Sequence, residues 1–373
     1  MNSLGLYIDF PFCIARCAFC AFDVEGYRAA WADRYMTALR KEIEHYASLP
    51  EITGRRITSI YLGGGTPSHY PSEILENLLA QCRCLFEVRD NAEITLEAHP
   101  ATVDDHNLRA FRNMGINRLS IGIQSFSDVH LKKLGRHHTV QDAVTAFQNA
   151  RSTGFTNIGI DLMYGLPEQS DSDWEKTLRE AIALSPEHLS LYALTVEAGT
   201  RFAKEEKAGH LALPSEEETT RFYETARMHL ADAGFEQYEI SNFTKPGYQS
   251  RHNLRYWNQE EVLSFGISAH SYYNGERRVN MDNIPGYIEA VERGGLPLLH
   301  TEKIPAKEIQ IDRIIFGLRK TEGIRLTLLE NNTILKKTTA RLKEEGLIEL
   351  KTGWMRLTSK GMLLADEVAM AYL

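Results

Sequence analysis

Residues 6–20 read LYIDFPFCIARCAFC, a short β-rich run followed at once by three cysteines in the spacing C-x3-C-x2-C. A structural zinc ion takes four protein ligands, and this loop holds no fourth Cys or His, which disfavours a closed zinc site. A cubane [4Fe–4S] cluster normally takes four thiolates, so Cys13, Cys17 and Cys20 would leave one iron open to a small ligand. The spacing therefore predicts a [4Fe–4S] cluster with one open coordination position.

Beyond this loop, β-rich runs alternate with amphipathic stretches as far as about residue 196, which is the pattern of βα units around a parallel sheet. Loops at the carboxyl ends of parallel strands form the active face, so the segments CIARCAFC, GGGTPS, EAHP, QSF, YGLPEQ and LTVEAGT should converge there. We therefore predict an α/β fold built on a partial (β/α)6 barrel. The predicted strands are Leu6–Phe10, Ile57–Leu62, Glu93–Glu97, Arg118–Ile123, Ile158–Met163 and Leu189–Leu194, and the predicted helices lie near 30–47, 72–84, 104–114, 140–153 and 171–184, with Ser72, Asp104 and Ser170 as caps.

After residue 197 the alternation gives way to a long helix over about 215–233 and then to aromatic-rich loops that contain YEISNF and HNLRYW. The end of the chain, with a turn at Thr352-Gly353, resembles a winged-helix unit. Its acidic residues favour a structural cap over nucleic-acid readout. We predict a barrel core over 1–200, an extension with the HNLRYW loop over 201–300, and a small winged-helix-like α+β domain over 301–373.

The composition is that of an ordinary globular protein, with 43% apolar and 25% charged residues, and the net charge of −8 argues against nucleic acid as a partner. No apolar run approaches the roughly 20 residues that span a bilayer, and the start of the chain lacks a secretory signal pattern. These features predict a cytoplasmic protein with no transmembrane segment. Cys82 and Cys84 lie on a predicted helix and point to different faces, so we interpret them as structural thiols.

The cysteine spacing is the signature of the radical S-adenosylmethionine (SAM) superfamily, and two further elements resemble it. Gly63-Gly64-Gly65-Thr66-Pro67 resembles the superfamily's glycine motif, and Glu97 lies where relatives place a ribose-binding carboxylate. The resemblance implies that the open iron binds the methionine part of SAM, and that one-electron reduction cleaves SAM to a 5′-deoxyadenosyl radical.

Ordered matches over residues 5–370 resemble the family of oxygen-independent coproporphyrinogen III oxidase, among them YIDFPFC, YLGGGTPS, RLSIGIQSF and IDLMYGLPEQ. The resemblance implies one or two bound SAM molecules. Singly, Arg136 and Asp161 could equally form an ion pair between barrel loops. The matching positions are Tyr7, Phe19, Gly64 and Glu97 for the cluster-bound molecule, and Gly65, Thr66, Gln124, Arg136 and Asp161 for the second.

Two branches of this family fit. The decarboxylase itself is disfavoured because only six residues precede Tyr7 and Phe22 replaces a fourth cysteine. The HemW-type haem chaperones resemble the chain more closely, and their H-N-x-x-Y-W motif reads His252-Asn253-Leu254-Arg255-Tyr256-Trp257 here. This resemblance implies that His252 is a haem ligand; without it, a structural loop histidine is the simpler interpretation.

The alternative is a class C radical SAM methyltransferase or cyclopropanase, which would use two SAM molecules to alkylate an sp² carbon of an aromatic, quinone or thiazole-type substrate. Ala18 and Ala21, where the chaperones usually have Pro and Asp, favour it. Its acid–base residue could be Tyr192, His99 or His252. Either branch implies an electron donor of the flavodoxin or ferredoxin type, and the chaperone branch implies haem and a haemoprotein client.

Overall fold

The computed structural model describes residues 3–330 and 332–373. The strands are β1 Ser3–Phe10, β2 Phe12–Cys13, β3 Glu25–Gly26, β4 Arg56–Gly64, β5 Glu87–Ala98, β6 Arg118–Gln124, β7 Ile158–Tyr164, β8 His188–Ala193, β9 Glu236–Gln237, β10 Asn242–Thr244, β11 Val262–Phe265, β12 His270–Tyr273, β13 Glu276–Asn280, β14 Leu298–Lys303, β15 Ile324–Arg325, β16 Ile348–Lys351 and β17 Trp354–Leu357. The helices are α1 Ala29–Ala47, α2 Ser72–Leu85, α3 Asp105–Asn113, α4 Asp128–Leu134, α5 Val140–Ser152, α6 Asp171–Ala183, α7 Arg201–Lys207, α8 Glu216–Asp232, α9 Arg251–Trp257, α10 Ile284–Glu292, α11 Ala306–Gly317, α12 Thr333–Glu344, α13 Ser359–Leu363 and α14 Ala365–Tyr372.

The six predicted strands form the parallel centre of one sheet, in the order β1-β4-β5-β6-β7-β8. This confirms the predicted partial (β/α)6 barrel. Later parts of the chain extend both edges of the same sheet. The strands β11 to β14 continue it beyond β1, while β10 and β9 continue it beyond β8.

Alternate residues of the central strands have opposite chemistry. Leu6, Ile8 and Phe10 of β1, for example, are fully buried in the main hydrophobic core, which the helices cover. The intervening positions are largely polar and point to the inside of the barrel, where several of them line one cavity. The barrel therefore has an apolar outer layer and a polar interior.

The segment HNLRYW closes the amino-terminal end of the barrel. It was predicted as part of a loop, which is wrong, because it forms the helix α9, and Ser250 caps that helix through the backbone N–H of Asn253. Glu93, on β5, accepts hydrogen bonds from the backbone N–H groups of Arg251 and His252, both at 3.0 Å. The contacts that stabilise this helix come from strands far away in sequence, so local pattern could not reveal it.

Arg255 fixes the other end of α9. It is 4% exposed and donates hydrogen bonds to the hydroxyls of Ser3 and Thr58 at the start of β1 and β4. Its guanidinium also pairs with Glu260 at 3.1 Å. The helix is thus held to the floor of the barrel by buried polar contacts along its length.

The C-terminal region has a hydrophobic core of its own, from Ile314 to Tyr372. The strands β15, β17 and β16 form a separate sheet beside α11, α12 and α14, which confirms the predicted winged-helix-like α+β character. The predicted turn at Thr352-Gly353 joins β16 to β17, and both residues have positive φ, as a tight hairpin of this kind requires. No helix in the described residues is long and apolar enough to cross a membrane.

Two of the three predicted helix caps are confirmed. Asp104 and Ser170 each form a capping box with the residue three positions later, Asn107 and Asp173 respectively. Ser72 is not a cap: Pro71 occupies the cap position, and Ser72 is the first residue of α2. The fixed φ of proline suits a helix start, which explains why a helix begins there without a side-chain cap.

We expect Ser170→Ala to lower the free energy of unfolding by about 1 kcal/mol, because it removes the acceptor for the N–H of Asp173. Ser72→Ala is the matched control and should change stability by less than about 0.5 kcal/mol. Urea denaturation followed by circular dichroism measures both. Equal losses in the two variants would contradict the cap assignment.

Candidate cofactor site

The cysteine loop is held in place by its own backbone and by two later helices. Cys13 lies on β2, and β2 pairs with β3, so the two ends of the cysteine loop lie side by side. Ala18 is buried, and it accepts a backbone hydrogen bond from Phe202 and donates one to Leu134. Arg16 donates to the carbonyls of Cys20 and Phe22, both at 3.2 Å. The positions of the three thiols therefore depend on contacts within the loop and on its contacts with α4 and α7.

All three thiols line one cavity of about 480 Å³, within the usual range for ligand sites. Burial raises the pKa of Cys13 to about 11 and raises that of Cys20 as well. The guanidinium of Arg136 opposes this rise, and one of its terminal nitrogens lies 3.5 Å from the sulfur of Cys17. A bound cationic cluster would stabilise the thiolates far more strongly than Arg136 does.

The glycine motif makes room beside these thiols. Gly64 has a φ of +100°, and a Cβ there would collide with the carboxylate of Asp9. A Cβ on Gly65 would lie 2.7 Å from the carbonyl oxygen of Phe10 and 3.0 Å from the sulfur of Cys13. Side chains at these positions would therefore fill the space next to the cysteine loop.

The cavity collects most of the predicted site residues and residues from five of the six predicted strand-end segments. Two predicted cofactor contacts, Tyr7 and His252, do not line the cavity. Tyr7 lies below the lining and stacks on Tyr61, with 5.9 Å between the ring centroids. The predicted residues that line the cavity are Cys13, Cys17, Phe19, Cys20, Gly64, Gly65, Thr66, Glu97, His99, Gln124, Arg136, Asp161 and Tyr192.

Glu97 has a carboxyl group whose pKa lies close to neutral pH. Burial raises its pKa to about 7, although Tyr61 donates a hydrogen bond of 2.8 Å to its carboxylate and the backbone of Gly64 donates another. Burial, and then the charge of Glu97, raise the pKa of the neighbouring Asp9. Arg118, which also lines the cavity, opposes the rise at Glu97 without cancelling it, so this part of the cavity suits a ligand that brings hydroxyl donors or a cation.

Arg136 and Asp161 do not form the ion pair that was the alternative interpretation of these two residues, since within the described chain no carboxylate lies within 4.0 Å of Arg136. Arg136 instead donates to the carbonyl of Gly122, and the Nε atom is buried without a partner. Asp161 accepts from the hydroxyl of Ser120, with both oxygens at 3.1 Å. Gln124 lies where the pairing of β6 with β7 shifts register. Its φ is +70°, which is uncommon for a residue other than glycine.

Two of the three acid–base candidates lie in the cavity. The Nδ1 atom of His99 accepts the N–H of Ala101 at 3.1 Å, so its proton is on Nε2. Burial, with the charge of Arg136 nearby, lowers the pKa of His99 to about 2, which keeps the ring neutral. Tyr192 is 44% exposed, into the cavity, and burial together with Asp161 raises its pKa. Both side chains can donate a hydrogen bond to a ligand.

His252, the third candidate and the predicted haem ligand, lies apart from these residues on α9. It is 1% exposed, with Nδ1 3.0 Å from the hydroxyl of Ser59 and Nε2 3.4 Å from that of Tyr256. Its ring packs 5.2 Å from that of Tyr61. Burial and the charge of Arg255 lower its pKa to about 3. In the folded chain His252 is a neutral, buried group that holds the barrel floor.

Sequence analysis missed several residues of the cavity. Arg118, Ser120 and Ser190 point inward on the strands, and Asn253 of α9 contributes to the floor. Arg118 and Ser120 lie six and four positions before Gln124 on β6, and Ser190 lies two positions before Tyr192 on β8, so the period of a strand could have identified them. Asn253 could not be found in this way, because its place depends on how α9 docks.

The donor set fits an iron–sulfur cluster better than a single ion. In residues 3–330 and 332–373, no three His, Cys, Asp or Glu side chains are grouped so that they could hold one metal ion. In a cubane cluster each thiolate binds a different iron, so three thiols spread around one cavity suit it. The small residues at Gly64 and Gly65 leave space beside them.

The partial barrel and the cysteine loop at its carboxyl-terminal face define a radical SAM protein, and the family model described as the Radical SAM superfamily matches residues 7–181. The solved structure of coproporphyrinogen III oxidase (HemN) from Escherichia coli, described as a radical SAM enzyme, superposes with a TM-score of 0.88 at 25% identity. The superposition covers 100% of this chain and 90% of the HemN chain.

Among curated proteins, the heme chaperone HemW of Bacillus subtilis is 35% identical over 98% of both chains. The mitochondrial radical S-adenosyl methionine domain-containing protein 1 of Danio rerio is 34% identical over 86% of this chain and 73% of its own. The chain belongs to the HemW family of radical SAM proteins.

We expect Tyr61→Phe to raise the pKa of Glu97 above about 7, by about one unit, because it removes a donor to the carboxylate. Infrared or ¹³C-carboxyl titration measures it, with Glu97→Gln used to assign the signal. Tyr192→Phe is the control, since its hydroxyl does not bond to Glu97. An unchanged pKa in Tyr61→Phe would contradict the assigned hydrogen bond.

Proposed function

We propose that Cys13, Cys17 and Cys20 hold a [4Fe–4S] cluster with one open iron, and that SAM binds beside it. Support comes from the three thiols around one cavity and from the space that Gly64 and Gly65 leave there. When bound, the cluster supplies the electron that cleaves SAM. Glu97 would bind the ribose hydroxyls, and Phe19 would form an apolar wall against the cofactor.

A second SAM molecule is proposed for the side of the cavity that Arg136 occupies. Arg136 offers a guanidinium free of ion-pair partners among the described residues, and a guanidinium binds a carboxylate through two hydrogen bonds. Gln124 and Asp161 lie on the same wall, and Thr66 lies next to Cys13.

For the biological role we propose a haem chaperone that binds haem and passes it to a haemoprotein. One observation carries this proposal: the relatedness to heme chaperone HemW runs over 98% of both chains, so it includes the C-terminal region as well as the barrel. In the present fold, ligation of haem by His252 would require α9 to leave the barrel floor, because both ring nitrogens have partners.

The relatives found do not favour the methyltransferase alternative. If it held, His99 and Tyr192 would be the acid–base candidates, since they reach the cavity and His252 does not. Four statements stay predictions of the sequence: the electron donor of the flavodoxin or ferredoxin type, the haemoprotein client, the cytoplasmic location and the absence of a nucleic-acid partner.

We expect Cys17→Ala to abolish the [4Fe–4S] absorbance and electron paramagnetic resonance signal after anaerobic reconstitution, because it removes one of three thiolate ligands. Iron and sulfide analysis measures the loss. Cys84→Ala is the matched control, since Cys84 is exposed on α2, and this variant should keep a full cluster. A complete cluster in Cys17→Ala would refute the ligand assignment.

The two functional classes are separated by one anaerobic assay of reconstituted protein with reductant, SAM and haem. We expect stoichiometric haem binding, seen as a Soret band that survives gel filtration, and no S-adenosylhomocysteine. S-adenosylhomocysteine together with 5′-deoxyadenosine in the presence of an aromatic or quinone acceptor, and no retained haem, would favour the methyltransferase.

A further inference from the structure

A second depression, of about 520 Å³, adjoins the mouth of the cofactor cavity. The two share part of their lining, namely Arg16, Gly135, Arg136 and His137. The depression lies between the cysteine loop and the segment that joins α4 to α5, and we call it the rim groove. Apart from Arg136 on its border, it has no role in the cofactor contacts proposed above.

The rim groove reaches the cysteine loop at Cys17. Arg136 lines both the groove and the cavity, and one of its terminal nitrogens lies 3.5 Å from the sulfur of Cys17. A Cβ on Gly135 would lie 3.9 Å from the Cα of Cys17, so the segment after α4 packs directly against the loop. Arg16 precedes Cys17 in the chain. A molecule in the groove is therefore close to one of the three thiols without entering the cavity.

Basic side chains outnumber acidic ones in the rim groove, on a chain whose net charge is −8. Its charged lining residues are Arg16, Lys132, Arg136, Arg201, Asp128 and Asp142. Both carboxylates are used at the start of α5, where Asp128 accepts the N–H of Val140 and Asp142 belongs to the capping box with Thr139. The excess charge of the groove is therefore positive, and its acids already have partners.

The exposed cations of the groove are less occupied than its acids. Within residues 3–330 and 332–373, Arg16 and Lys132 have no carboxylate within 4.0 Å, and Arg16 donates to backbone carbonyls. Arg201 pairs with Glu205, its neighbour on α7, at 3.2 Å, and both side chains are on the surface. Because an exposed ion pair of this kind contributes little, Arg201 can exchange its partner. The groove therefore has positive charge available to an acidic surface.

Exposed apolar side chains flank these charges. Phe22 and Val129 are both 64% exposed, and Ile14 is 37% exposed. Arg16 holds the loop beside Phe22 through the carbonyl of that residue, at 3.2 Å. Aromatic and arginine side chains are enriched where proteins meet, and exposed apolar groups rimmed by charge are typical of such surfaces. The combination favours a protein over a small anion as the partner of this surface.

The proposed cleavage of SAM consumes an electron that must come from outside the chain. We propose that the rim groove is the docking site of the electron donor, a small acidic protein of the flavodoxin or ferredoxin type. Lys132 and Arg201 contact its carboxylates, Phe22 contacts its apolar surface, and its redox group faces Cys17. The donor loses one electron and the cluster gains it, with no bond formed between the proteins. This inference rests on the proposed cluster and adds the surface through which the cluster is reduced.

The properties of the groove suit a short-lived complex. Electron-transfer partners bury small interfaces, and complementary charge raises the rate at which they meet. Nucleic acid is the other large polyanion, but the net charge of −8 and the two carboxylates within the groove would repel it. An acidic protein that docks briefly satisfies both the local positive charge and the overall negative charge.

Charge reversal in the groove tests the docking site. Reconstituted protein is mixed anaerobically with reduced flavodoxin, and bleaching of the cluster absorbance gives the rate. We expect Lys132→Glu and Arg201→Glu each to lower the second-order rate constant about tenfold at low ionic strength. The difference should disappear in about 1 M salt, where the Debye length is about 3 Å. Lys41→Glu, at an exposed lysine of α1, is the matched control, because it changes the net charge by the same amount.

A reductant that does not dock separates docking from damage to the cluster. Photoreduced deazariboflavin, which is small and uncharged, should reduce the cluster of every variant at the rate of the unaltered protein. Binding of oxidised flavodoxin, measured by biolayer interferometry, should weaken in Lys132→Glu and Arg201→Glu but not in Lys41→Glu. Equal flavodoxin rates in all three variants would overturn the docking site. Inorganic phosphate that slows flavodoxin more than chloride does at equal ionic strength would assign the groove to a small anion instead.

Failure of this site and failure of the proposed function give different results. If the unaltered protein forms no [4Fe–4S] cluster, the proposed function itself fails. If the cluster forms and deazariboflavin reduces it, but flavodoxin and ferredoxin bind neither the unaltered protein nor the groove variants, or bind all of them equally, the cluster assignment stands and the docking site is wrong.

Discussion

The arrangement of the molecule depends on the alternation of side chains along six parallel strands. One set of residues, such as Leu6, Ile8 and Phe10, is apolar and packs under the helices. The other set is polar and faces inward, where each buried donor or acceptor without a partner would cost about 1–3 kcal/mol. The polar interior is stable because most of its groups form hydrogen bonds with one another or with α9. The others face the cavity, where a bound cofactor can supply partners.

The two ends of this interior have different tasks. At the carboxyl ends of the strands, the cysteine loop and Gly64-Gly65 leave an open space rich in sulfur and glycine. At the amino ends, α9 fills the barrel, with Glu93 bonded to its first turn and Arg255 to the strands β1 and β4. A closed floor keeps the cavity accessible from one side, which suits a site that must shield reactive cofactor chemistry from water.

The electrostatics of the cavity point to cofactors that bring positive charge. Burial raises the pKa of Cys13 and Cys20, as well as those of Asp9 and Glu97, and neither Arg136 beside the thiols nor Arg118 beside Glu97 cancels the rise. A cluster that binds thiolates and a sulfonium ligand would each relieve this imbalance. His99 is held neutral by the same surroundings, so it acts as a donor of one fixed hydrogen and not as a charged acid.

The sequence by itself determined the features whose causes are local. The spacing of Cys13, Cys17 and Cys20, the alternation of six strands, and the caps at Asp104 and Ser170 each depend on residues within a few positions of one another. The residues that family resemblance assigned to cofactors mostly line one cavity in the structure. Only the tertiary structure decided that HNLRYW is a helix that buries His252, that β9 to β14 extend both edges of the sheet, and that His137 lies exposed at the cavity mouth. These features arise from contacts between distant segments, such as Arg255 with Ser3, which are 252 residues apart, and a linear pattern carries no record of which distant surfaces meet.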